Sequence, residues 1–495
     1  MTADTTGAGS SRVAANTVLS LVAILALGLT RLIFSLLVGR QLGREALGQV
    51  NTQLSIATFA SLAFATGTSI GATKFVPALL GGKDAAQARR ALIVLLRWCM
   101  LGTAGVTAVV AVVLPWLFDE FSGAEIVATC FLVVAYSAYT FVRGAQYGYG
   151  TIRKYAVIET LCDASTIAGA VIVVMLDVEL ILLLPFIAGY TVFAVVGWLG
   201  LPRPARTPGV TVPTALRREM RGYGFWAALG VLASTGFLQL SMVFAYLYGG
   251  TSEAGLYAAA MTLTVPAYFV PRALSMALFP SMANAFGRGD EEEIRRQLDT
   301  GTRLLMVATL PFFAGAILLA RPLLTFTFRR AEFAQAHLVL ELLLAATYIL
   351  ICSIPAVNSL SATERNLVRI PAAAAISGLT VGVVSWLILG PVLGTTGIAV
   401  GYLAGAVVTS GICIFAAWRR WHQAWTTLLW RVGLAAALAA GLWVLVDVRW
   451  NTLGIRLGCV LGVAGITTMM CPQETRQIVG RLRQVTRQAR GILTR

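Results

Sequence analysis

Two arginines lie inside long apolar segments of the sequence, where a charged side chain is costly. Arg31 lies in the first such segment, and Arg272 lies in a later one, flanked by Pro266 and Pro271. A charge at bilayer depth costs about 2.5–3.5 kcal/mol on insertion scales, so it usually faces a cavity or a partner. A guanidinium keeps its charge and pairs bidentately with phosphate oxygens. We therefore expect both arginines to bind a phosphate group of a ligand, with pairing to a neighbouring helix as the structural alternative.

Two carboxylates lie close together in another apolar segment. Glu159 and Asp163 are four residues apart, so on a helix they share one face. Neighbouring carboxylates could carry a proton or a cation and serve as a coupling site. They could equally form ion pairs with Arg143, Arg153 or Lys154. The nearby basic residues favour ion pairing. The spacing alone is compatible with both ion pairing and a coupling site.

Three further features of the apolar segments are candidates for function. Glu341 stands alone in one segment and is predicted to couple an ion or to pair with a cation such as Arg31. Lys74 lies at the end of the second segment and is predicted to contact the ligand phosphate, with anchoring to lipid headgroups as the alternative. Pro266 and Pro271 remove backbone hydrogen bonds and allow bending, so they are predicted hinge residues.

The composition places these residues in a membrane. The 495 residues are 58% hydrophobic and 12% charged, whereas a soluble domain carries roughly 25% charged residues. Only helices and closed barrels satisfy backbone polar groups in lipid. The apolar runs approach the length of about twenty residues that a spanning helix needs, rather than the roughly ten of a barrel strand. The sequence therefore predicts an all-α polytopic membrane protein with about fourteen transmembrane helices.

The excess of basic residues agrees with this interpretation. Lys and Arg number 38, against 22 Asp and Glu, and most of them fall in every second connection between apolar segments. Because basic residues are enriched in cytoplasmic loops, we expect both termini to be cytoplasmic and the protein to lie in the cytoplasmic membrane. Basic tracts with interleaved aromatic residues, typical of RNA-binding proteins, are absent from the sequence, so no nucleic-acid partner is expected.

Cysteine and histidine usage argues against a metal centre. The seven cysteines are scattered singly, and the two histidines, His337 and His422, are far apart in the sequence. Zinc sites and redox motifs need such residues at short, regular spacing. We therefore predict neither a metal site nor a cofactor.

An internal repeat relates the two halves of the chain. Residues 81–92 align with residues 287–298 at an offset of 206, with Gly, Asp, Arg-Arg and Leu in common. Further along, Gly189-Tyr190 aligns with Gly401-Tyr402 at an offset of 212. A nearly constant offset across six helices predicts two six-helix lobes in parallel orientation, an arrangement found in many transporters.

The repeat and the composition divide the chain into five parts. A Pro-rich stretch and a short basic amphipathic stretch separate the lobes, and two helices and a basic tail follow the second lobe. The tail has apolar residues at helical spacing with arginines between them, which is typical of a helix on an anionic membrane surface. The predicted parts are the N-terminal lobe 1–200, the cytoplasmic linker 201–221, the C-terminal lobe 222–420, the helix pair 421–471 and the basic amphipathic cytoplasmic tail 472–495.

Four short motifs resemble those of one exporter superfamily. They are Leu42-Gly-Arg-Glu-Ala-Leu-Gly48, Gly144-Ala-Gln-Tyr-Gly-Tyr-Gly-Thr-Ile-Arg-Lys154, Gly255-Leu-Tyr-Ala-Ala-Ala260 and Pro280-Ser-Met-Ala. Together with the repeat, they make the chain similar to the multidrug/oligosaccharidyl-lipid/polysaccharide exporter superfamily, in its polysaccharide transporter branch of Wzx-like flippases. In lipid II flippases, a sister branch, arginines of the first and eighth helices hold the lipid-linked diphosphate. The resemblance implies that role for Arg31 and Arg272.

The resemblance also implies a function. It is the translocation of a polyprenyl-(di)phosphate-linked oligosaccharide across the membrane by alternating access, for cell-surface polysaccharide biosynthesis. The alternatives are a lipid II-type flippase and a cation-coupled drug antiporter of the same superfamily. The antiporter would need a cavity carboxylate, which the first and seventh predicted helices lack.

A polytopic glycosyltransferase or polymerase is a weaker alternative, because the loops on the outer side are too short to form an acceptor site. We therefore do not expect an enzyme. The expected partners are the lipid-linked oligosaccharide, membrane lipids, and the glycosyltransferases and polymerase of the same pathway. The protein is expected to be a monomer.

Overall fold

The protein is all helical over the residues that the computed structural model describes, and these contain no β-strand. They are residues 25–82, 84–118, 120–176, 181–202, 211–363, 367, 369–449, 453–472 and 474–476, without the side chains of 268–273, 276–277, 445–449 and 453. The helices are α1 (25–41), α2 (Arg44–Gly81), α3 (Ala85–Leu117), α4 (Gly123–Gly148), α5 (Ile152–Met175), α6 (Leu184–Leu199), α7 (Thr214–Thr264), α8 (Phe269–Gly287), α9 (Glu291–Leu318), α10 (Ala320–Phe328), α11 (His337–Cys352), α12 (Ile354–Ala362), α13 (Arg369–Trp421), α14 (Thr426–Arg449) and α15 (Leu453–Met470).

The two longest helices each contain a sharp corner at a glycine. Gly250 in α7 has φ 68° and ψ −173°, and Gly394 in α13 has φ 55° and ψ −135°. Positive φ values of this kind suit glycine, which has no Cβ. Each corner therefore separates two consecutive helices.

The helices reproduce the predicted number of spans. We divide α7 and α13 at their corners, join the second part of α7 to α8 and α11 to α12, and leave out the short α10. The described helices then form fourteen helical segments. Nine helical stretches of the described residues are each long and apolar enough to cross a membrane. The prediction of an all-α polytopic membrane protein is confirmed.

The contacts group the chain into two compact units. The N-terminal unit comprises Met1–Thr262 and Gly390–Ile398, and the C-terminal unit comprises Leu263–Leu389 and Ala399–Arg495. The N-terminal unit thus includes most of α7, which the predicted lobe boundaries assign to the second lobe. The predicted boundaries follow the sequence repeat, whereas these units follow packing, so the boundaries remain a prediction.

Helix α2 is the centre of the N-terminal unit. It packs on α3 and α4, while α6 packs on α4 and α5. Close helix crossings depend on glycines: a Cβ on Gly144 of α4 would lie 2.2 Å from the Ser69 hydroxyl oxygen of α2. A Cβ on Gly67 of α2 would lie 2.5 Å from the carbonyl oxygen of Gly224 in α7. Backbone contact at these points holds α4 and α7 against α2.

Helix α9 is the centre of the C-terminal unit. It packs on α8, α11, α12, α14 and α15. In the first half of α9, the Arg303 guanidinium donates to both carboxylate oxygens of Asp299 at 2.9 Å and to Glu474 Oε1 at 2.9 Å. Trp425 Nε1 donates to Asp299 Oδ1 at 2.8 Å. These bonds fix residue 474 to α9, while most of the predicted amphipathic tail (477–495) lies outside the described residues.

Candidate functional site

Arg31 is the first component of a polar network inside the N-terminal unit. Its Nη2 donates to Thr58 Oγ1 of α2 at 3.1 Å and to the Tyr190 hydroxyl of α6 at 3.4 Å. Its Cζ lies 5.3 Å from the centre of the Tyr136 ring of α4. Its Nε is buried and has no hydrogen-bond partner among the described residues. One guanidinium on α1 thus contacts three other helices and retains donor capacity.

The two carboxylates of α5 lie in the same unit and are buried. Glu159 is 1% exposed and Asp163 is 8% exposed. The Tyr139 hydroxyl donates to Glu159 Oε1 at 2.5 Å, and Arg143 Nη1 donates to that same hydroxyl at 3.3 Å. Glu159 therefore connects to Arg143 through a tyrosine rather than by a direct ion pair. The other two basic residues considered as its partners, at positions 153 and 154, are exposed.

Asp163 connects the carboxylates to Arg31. It interacts electrostatically with Arg31 and lies within hydrogen-bond reach of Thr30, both on α1. Buried charges are stable in a protein when opposite charges accompany them. The network holds two guanidinium groups, Arg31 and Arg143, and two carboxylates, Glu159 and Asp163, so its formal charges balance.

A small cavity adjoins both carboxylates. It has a volume of about 10 Å³ and is lined by residues of α4, α5 and α6, among them Glu159, Asp163 and Thr166. Glu159 Oε2 and Asp163 Oδ2 are buried without a hydrogen-bond partner in the part of the chain that the structure describes. A space of this size accommodates about one water-sized species. The arrangement can therefore hold a proton or a small cation between the carboxylates.

Aromatic rings surround the network and fix its geometry. The ring centres of Tyr139 and Tyr190 are 4.9 Å apart, those of Tyr136 and Tyr190 are 5.0 Å apart, and Phe193 lies 4.8 Å from Tyr139. Gly189 allows this packing, because a Cβ there would lie 2.1 Å from Thr166 Oγ1. Such ring pairs restrict side-chain freedom, so the network is preorganised.

Sequence reasoning found the charged members of this network and missed the neutral ones. Thr58, Tyr136 and Tyr139 carried no signal that separates them from ordinary core residues. Tyr190 had a signal, since it is part of the Gly-Tyr pair in the internal repeat. The spacing of Tyr136, Tyr139 and Arg143 places them on one helix face, which could have indicated that they act together.

Lys74 lies elsewhere, at the far end of α2. Its ammonium is 3.7 Å from Glu219 Oε1 and 3.9 Å from the centre of the Tyr223 ring, and its side chain is 43% exposed. Lys74 is sixteen residues beyond Thr58, or about 24 Å along the helix axis at 1.5 Å per residue. Lys74 is therefore too far away to contact the same phosphate group as Arg31.

The remaining predicted residues belong to the C-terminal unit. Glu341 is 6% exposed and lines an otherwise apolar cavity of about 460 Å³ between α9, α11 and α14. Pro266 lies in the 3₁₀ turn Val265–Tyr268, directly before α8. Arg272 and Pro271 lie on α8, and their side chains are outside the described part of the structure.

Comparison with known proteins gives two matching family models. The polysaccharide biosynthesis protein family matches residues 37–331, which is more than half of the chain. The lipid II flippase MurJ family matches residues 217–463.

Solved structures share the fold at low sequence identity. The lipid II flippase MurJ in an inward closed conformation superposes with a TM-score of 0.66 at 12% identity, covering 93% of this chain and 99% of that one. An inward-facing multidrug resistance MATE family transporter gives 0.64 at 14% identity, covering 81% and 98%. A MOP superfamily transporter from Pyrococcus furiosus gives 0.59 at 16% identity, covering 82% and 94%.

The predicted family and the predicted class of function, a flippase or exporter of lipid-linked substrates, are confirmed by these matches. The chain belongs to the polysaccharide biosynthesis protein family, and it shares its fold with solved structures of the multidrug/oligosaccharidyl-lipid/polysaccharide exporter superfamily.

Proposed function

We propose that this protein translocates a polyprenyl-(di)phosphate-linked oligosaccharide across the cytoplasmic membrane by alternating access, for cell-surface polysaccharide biosynthesis. The observation that carries the proposal is the match of residues 37–331 to the polysaccharide biosynthesis protein family. In this proposal both termini are cytoplasmic and transport involves no covalent chemistry. The glycosyltransferases and the polymerase of the pathway are the functional partners, and the protein acts as a monomer.

Arg31 is the proposed phosphate ligand in the N-terminal unit. A guanidinium retains its charge when buried and presents its donors in a planar fork that fits phosphate oxygens. Its buried Nε and its electrostatic balance with Asp163 support this role. Arg272 on α8 is the proposed second phosphate ligand, by the resemblance to lipid II flippases. The exposed Lys74, about 24 Å away along α2, is proposed to contact phosphate only at the membrane surface.

Glu159 and Asp163 are the proposed coupling site. Both residues line the same small cavity, each has one buried carboxylate oxygen without a hydrogen-bond partner among the described residues, and Asp163 interacts with Arg31. Protonation or cation binding at Asp163 would change the balance of charge at Arg31, and so change its affinity for phosphate. Coupling between two sites requires such a difference in interaction between two states. Glu341 is a second candidate for ion coupling, in the C-terminal unit.

Pro266 and Pro271 are the proposed hinge. Pro266 cannot donate a backbone hydrogen bond and lies in a 3₁₀ turn between α7 and α8. The turn begins three residues after Thr262, where the N-terminal unit ends. A bend at this point can change while the flanking helices keep their own hydrogen bonds.

A lipid II-type flippase is the second candidate, because the MurJ family model matches residues 217–463. The two candidates differ in the saccharide attached to the lipid. Deleting the gene and analysing the accumulated lipid-linked glycans distinguishes them. We expect an oligosaccharide repeat unit on the prenyl carrier to accumulate. Accumulation of the peptidoglycan precursor alone would favour the second candidate, and accumulation of neither would contradict the proposal.

A further inference from the structure

A cavity in the C-terminal unit is lined by one face from each of three helices, α9, α11 and α14. Its volume of about 460 Å³ falls within the range of about 300–1,000 Å³ that is usual for small-molecule sites. The α14 face consists of Ala436, Ala439, Ala440 and Trp443, which recur at helical spacing. Three small side chains in this face leave the space between α11 and α14 that forms the cavity.

The cavity is closed on the side of α9 and accessible between α11 and α14. Its α9 lining includes Phe313 and Leu318, which are 2% and 1% exposed. Its edges include Leu338 of α11, which is 38% exposed, and Ala440 of α14, which is also exposed. Both edge helices lie in stretches long and apolar enough to cross a membrane. An amphiphile dissolved in the bilayer can therefore enter the cavity from the side.

Three polar side chains line the cavity, and one of them has an unsatisfied donor. The Tyr348 hydroxyl donates to the Met306 carbonyl oxygen at 3.0 Å. Glu341 is 6% exposed, and a carboxylate can accept several hydrogen bonds. Trp443 Nε1 is buried without a hydrogen-bond partner among the described residues. A buried N–H group without an acceptor is unfavourable, so an oxygen atom of a ligand at this point would stabilise it.

Glu341 and Trp443 lie at the same end of the cavity. Helix α11 begins beside the C-terminal end of α9, because Arg321, three residues beyond α9, contacts His337 at 3.0 Å. Glu341 follows His337 by about one helical turn. Trp443 packs against the cluster that contains Leu318, the last residue of α9. One end of the cavity therefore presents an acceptor and an unsatisfied donor, and the remainder is largely apolar.

We propose that this cavity binds a lipid alcohol, an uncharged amphiphile that carries a hydroxyl group on a hydrocarbon body. A hydroxyl both donates and accepts hydrogen bonds. It can therefore donate to the carboxylate of Glu341 and accept from Trp443 Nε1, while the hydrocarbon body occupies the apolar remainder of the cavity.

Charged head groups fit this end of the cavity less well. An ammonium group has no acceptor, so it would leave Trp443 Nε1 unsatisfied. Arg321 already places a cation about one turn from Glu341, so a cationic ligand is not needed to accompany this carboxylate. A phosphate group would place a second anion beside the carboxylate, which is unfavourable. The occupant therefore differs from the proposed transport substrate, which carries phosphate.

Three probes with one hydrocarbon tail and different head groups test the proposal. The full chain in phosphatidylcholine nanodiscs is photo-crosslinked to a diazirine analogue of geranylgeraniol, and mass spectrometry identifies the crosslinked residues. Unlabelled geranylgeraniol, geranylgeranyl phosphate and geranylgeranylamine then compete for the crosslink, which confines the measurement to the cavity. We expect crosslinks to α11 and α14 and the strongest competition by the alcohol.

Stronger competition by the phosphate would make the cavity a subsite for the transport substrate, and stronger competition by the amine would make it a site for lipophilic cations. Either result would overturn the proposal, as would the absence of crosslinks to α11 and α14. None of these results depends on flipping activity, so they are distinguishable from a failure of the proposed transport function.

The variant Trp443→Phe removes the indole N–H and keeps an aromatic ring. We expect the affinity for the alcohol to fall by about fivefold, the usual contribution of one neutral hydrogen bond. Glu341→Gln keeps an acceptor and should have a smaller effect. Ala440→Leu narrows the opening and should weaken competition by all three probes.

Trp430→Phe is the matched control, because Trp430 lies on the same helix, is 73% exposed and does not line the cavity. We expect it to bind the alcohol like the unaltered protein, and the unfolding temperatures without probe verify that all variants fold. Equal affinity for the alcohol in folded Trp443→Phe and in the unaltered protein would show that Nε1 binds no ligand and would overturn the proposal.

Discussion

Helix α2 and the helical region around α8 occupy equivalent positions in the internal repeat, yet they differ in shape. Helix α2 runs without interruption from Arg44 to Gly81. The equivalent region of the second half is interrupted by the 3₁₀ turn Val265–Tyr268. At the offset of 206, Pro266 corresponds to Ala60, Pro271 to Ala65 and Pro280 to Lys74. Pro266 lies in the interruption and Pro271 just after it, and each removes a backbone hydrogen bond. Helix α8 continues through Pro280, as α2 continues through Pro77.

The polar network also differs between the two halves, because its charged residues lie in the first half. Arg31 corresponds to Phe237 at the offset of 206, and Glu159 and Asp163 correspond to Pro371 and Ala375 at the offset of 212. Two tyrosines of the network are kept, since Tyr136 corresponds to Tyr348 and Tyr190 to Tyr402, whereas Tyr139 corresponds to Ile351. One scaffold thus occurs twice, with charge in the first copy and prolines in the second. We infer that the network of coupled charges belongs to the first half and the bend to the second half, which also carries Arg272.

The largest expected effect comes from removing the central cation of the first half. Arg31→Ala leaves Asp163 without its neighbouring guanidinium, and losing one partner of a buried pair costs about 3–5 kcal/mol. We expect flipping in proteoliposomes to be lost and the unfolding midpoint to fall, with partial rescue by Arg31→Lys. Arg153→Ala, an exposed residue, is the control and should retain full transport. Normal flipping by Arg31→Ala would contradict the proposal that the first half binds the charged group of the substrate.

Exchanging proline and alanine at one pair of equivalent positions tests whether the bend belongs to the second half. Ala60→Pro places a proline inside buried α2 and should destabilise the protein by about 3 kcal/mol or more. Pro266→Ala should leave stability unchanged or higher but slow transport, because the turn before α8 becomes more helical. Denaturant unfolding and flipping rates measure both. If Ala60→Pro lowered the free energy of unfolding no more than Pro266→Ala does, the proposed difference between the two helices would be wrong.

Close packing at equivalent glycines of the two halves gives a smaller expected effect. A Cβ on Gly189 would lie 2.1 Å from Thr166 Oγ1, and one on the equivalent Gly401 would lie 2.4 Å from the Trp386 ring. Overpacking of this kind costs about 1–3 kcal/mol. Gly189→Ala and Gly401→Ala should both lower the free energy of unfolding, measured in denaturant. Gly433→Ala, where nothing lies within 4 Å of the added Cβ, is the control and should have no such effect.

The smallest expected effect concerns coupling. Asp163→Asn should lower gradient-driven flipping by about fivefold, the lower end of usual coupling free energies, and should flatten its dependence on pH. Flipping without a gradient should change less, because the asparagine keeps the shape of the side chain. Glu292→Gln, a substitution of an exposed carboxylate, serves as the control. An unchanged pH dependence in Asp163→Asn would exclude Asp163 as the coupling group.

The sequence predicted the helical spans, the repeat and the charged members of the polar network, because apolar runs and buried charges leave clear signals. It could not predict that Glu159 meets Arg143 through Tyr139, since that contact depends on how α4 and α5 pack. It grouped Lys74 with Arg31, although Lys74 lies about 24 Å along α2 from Thr58, which Arg31 contacts. The assignment of α7 to the N-terminal unit depends on backbone contacts such as Gly67–Gly224, which composition does not reveal.

The most direct test of the central claim is the binding of a polyprenyl-diphosphate oligosaccharide to the purified protein and to Arg31→Ala, with the same lipid lacking its phosphates as the control ligand. We predict that the unaltered protein binds the phosphorylated lipid and that Arg31→Ala loses this binding, while both proteins bind the phosphate-free lipid equally weakly. Equal binding of the phosphorylated lipid by both proteins would contradict the claim that the buried guanidinium recognises the substrate.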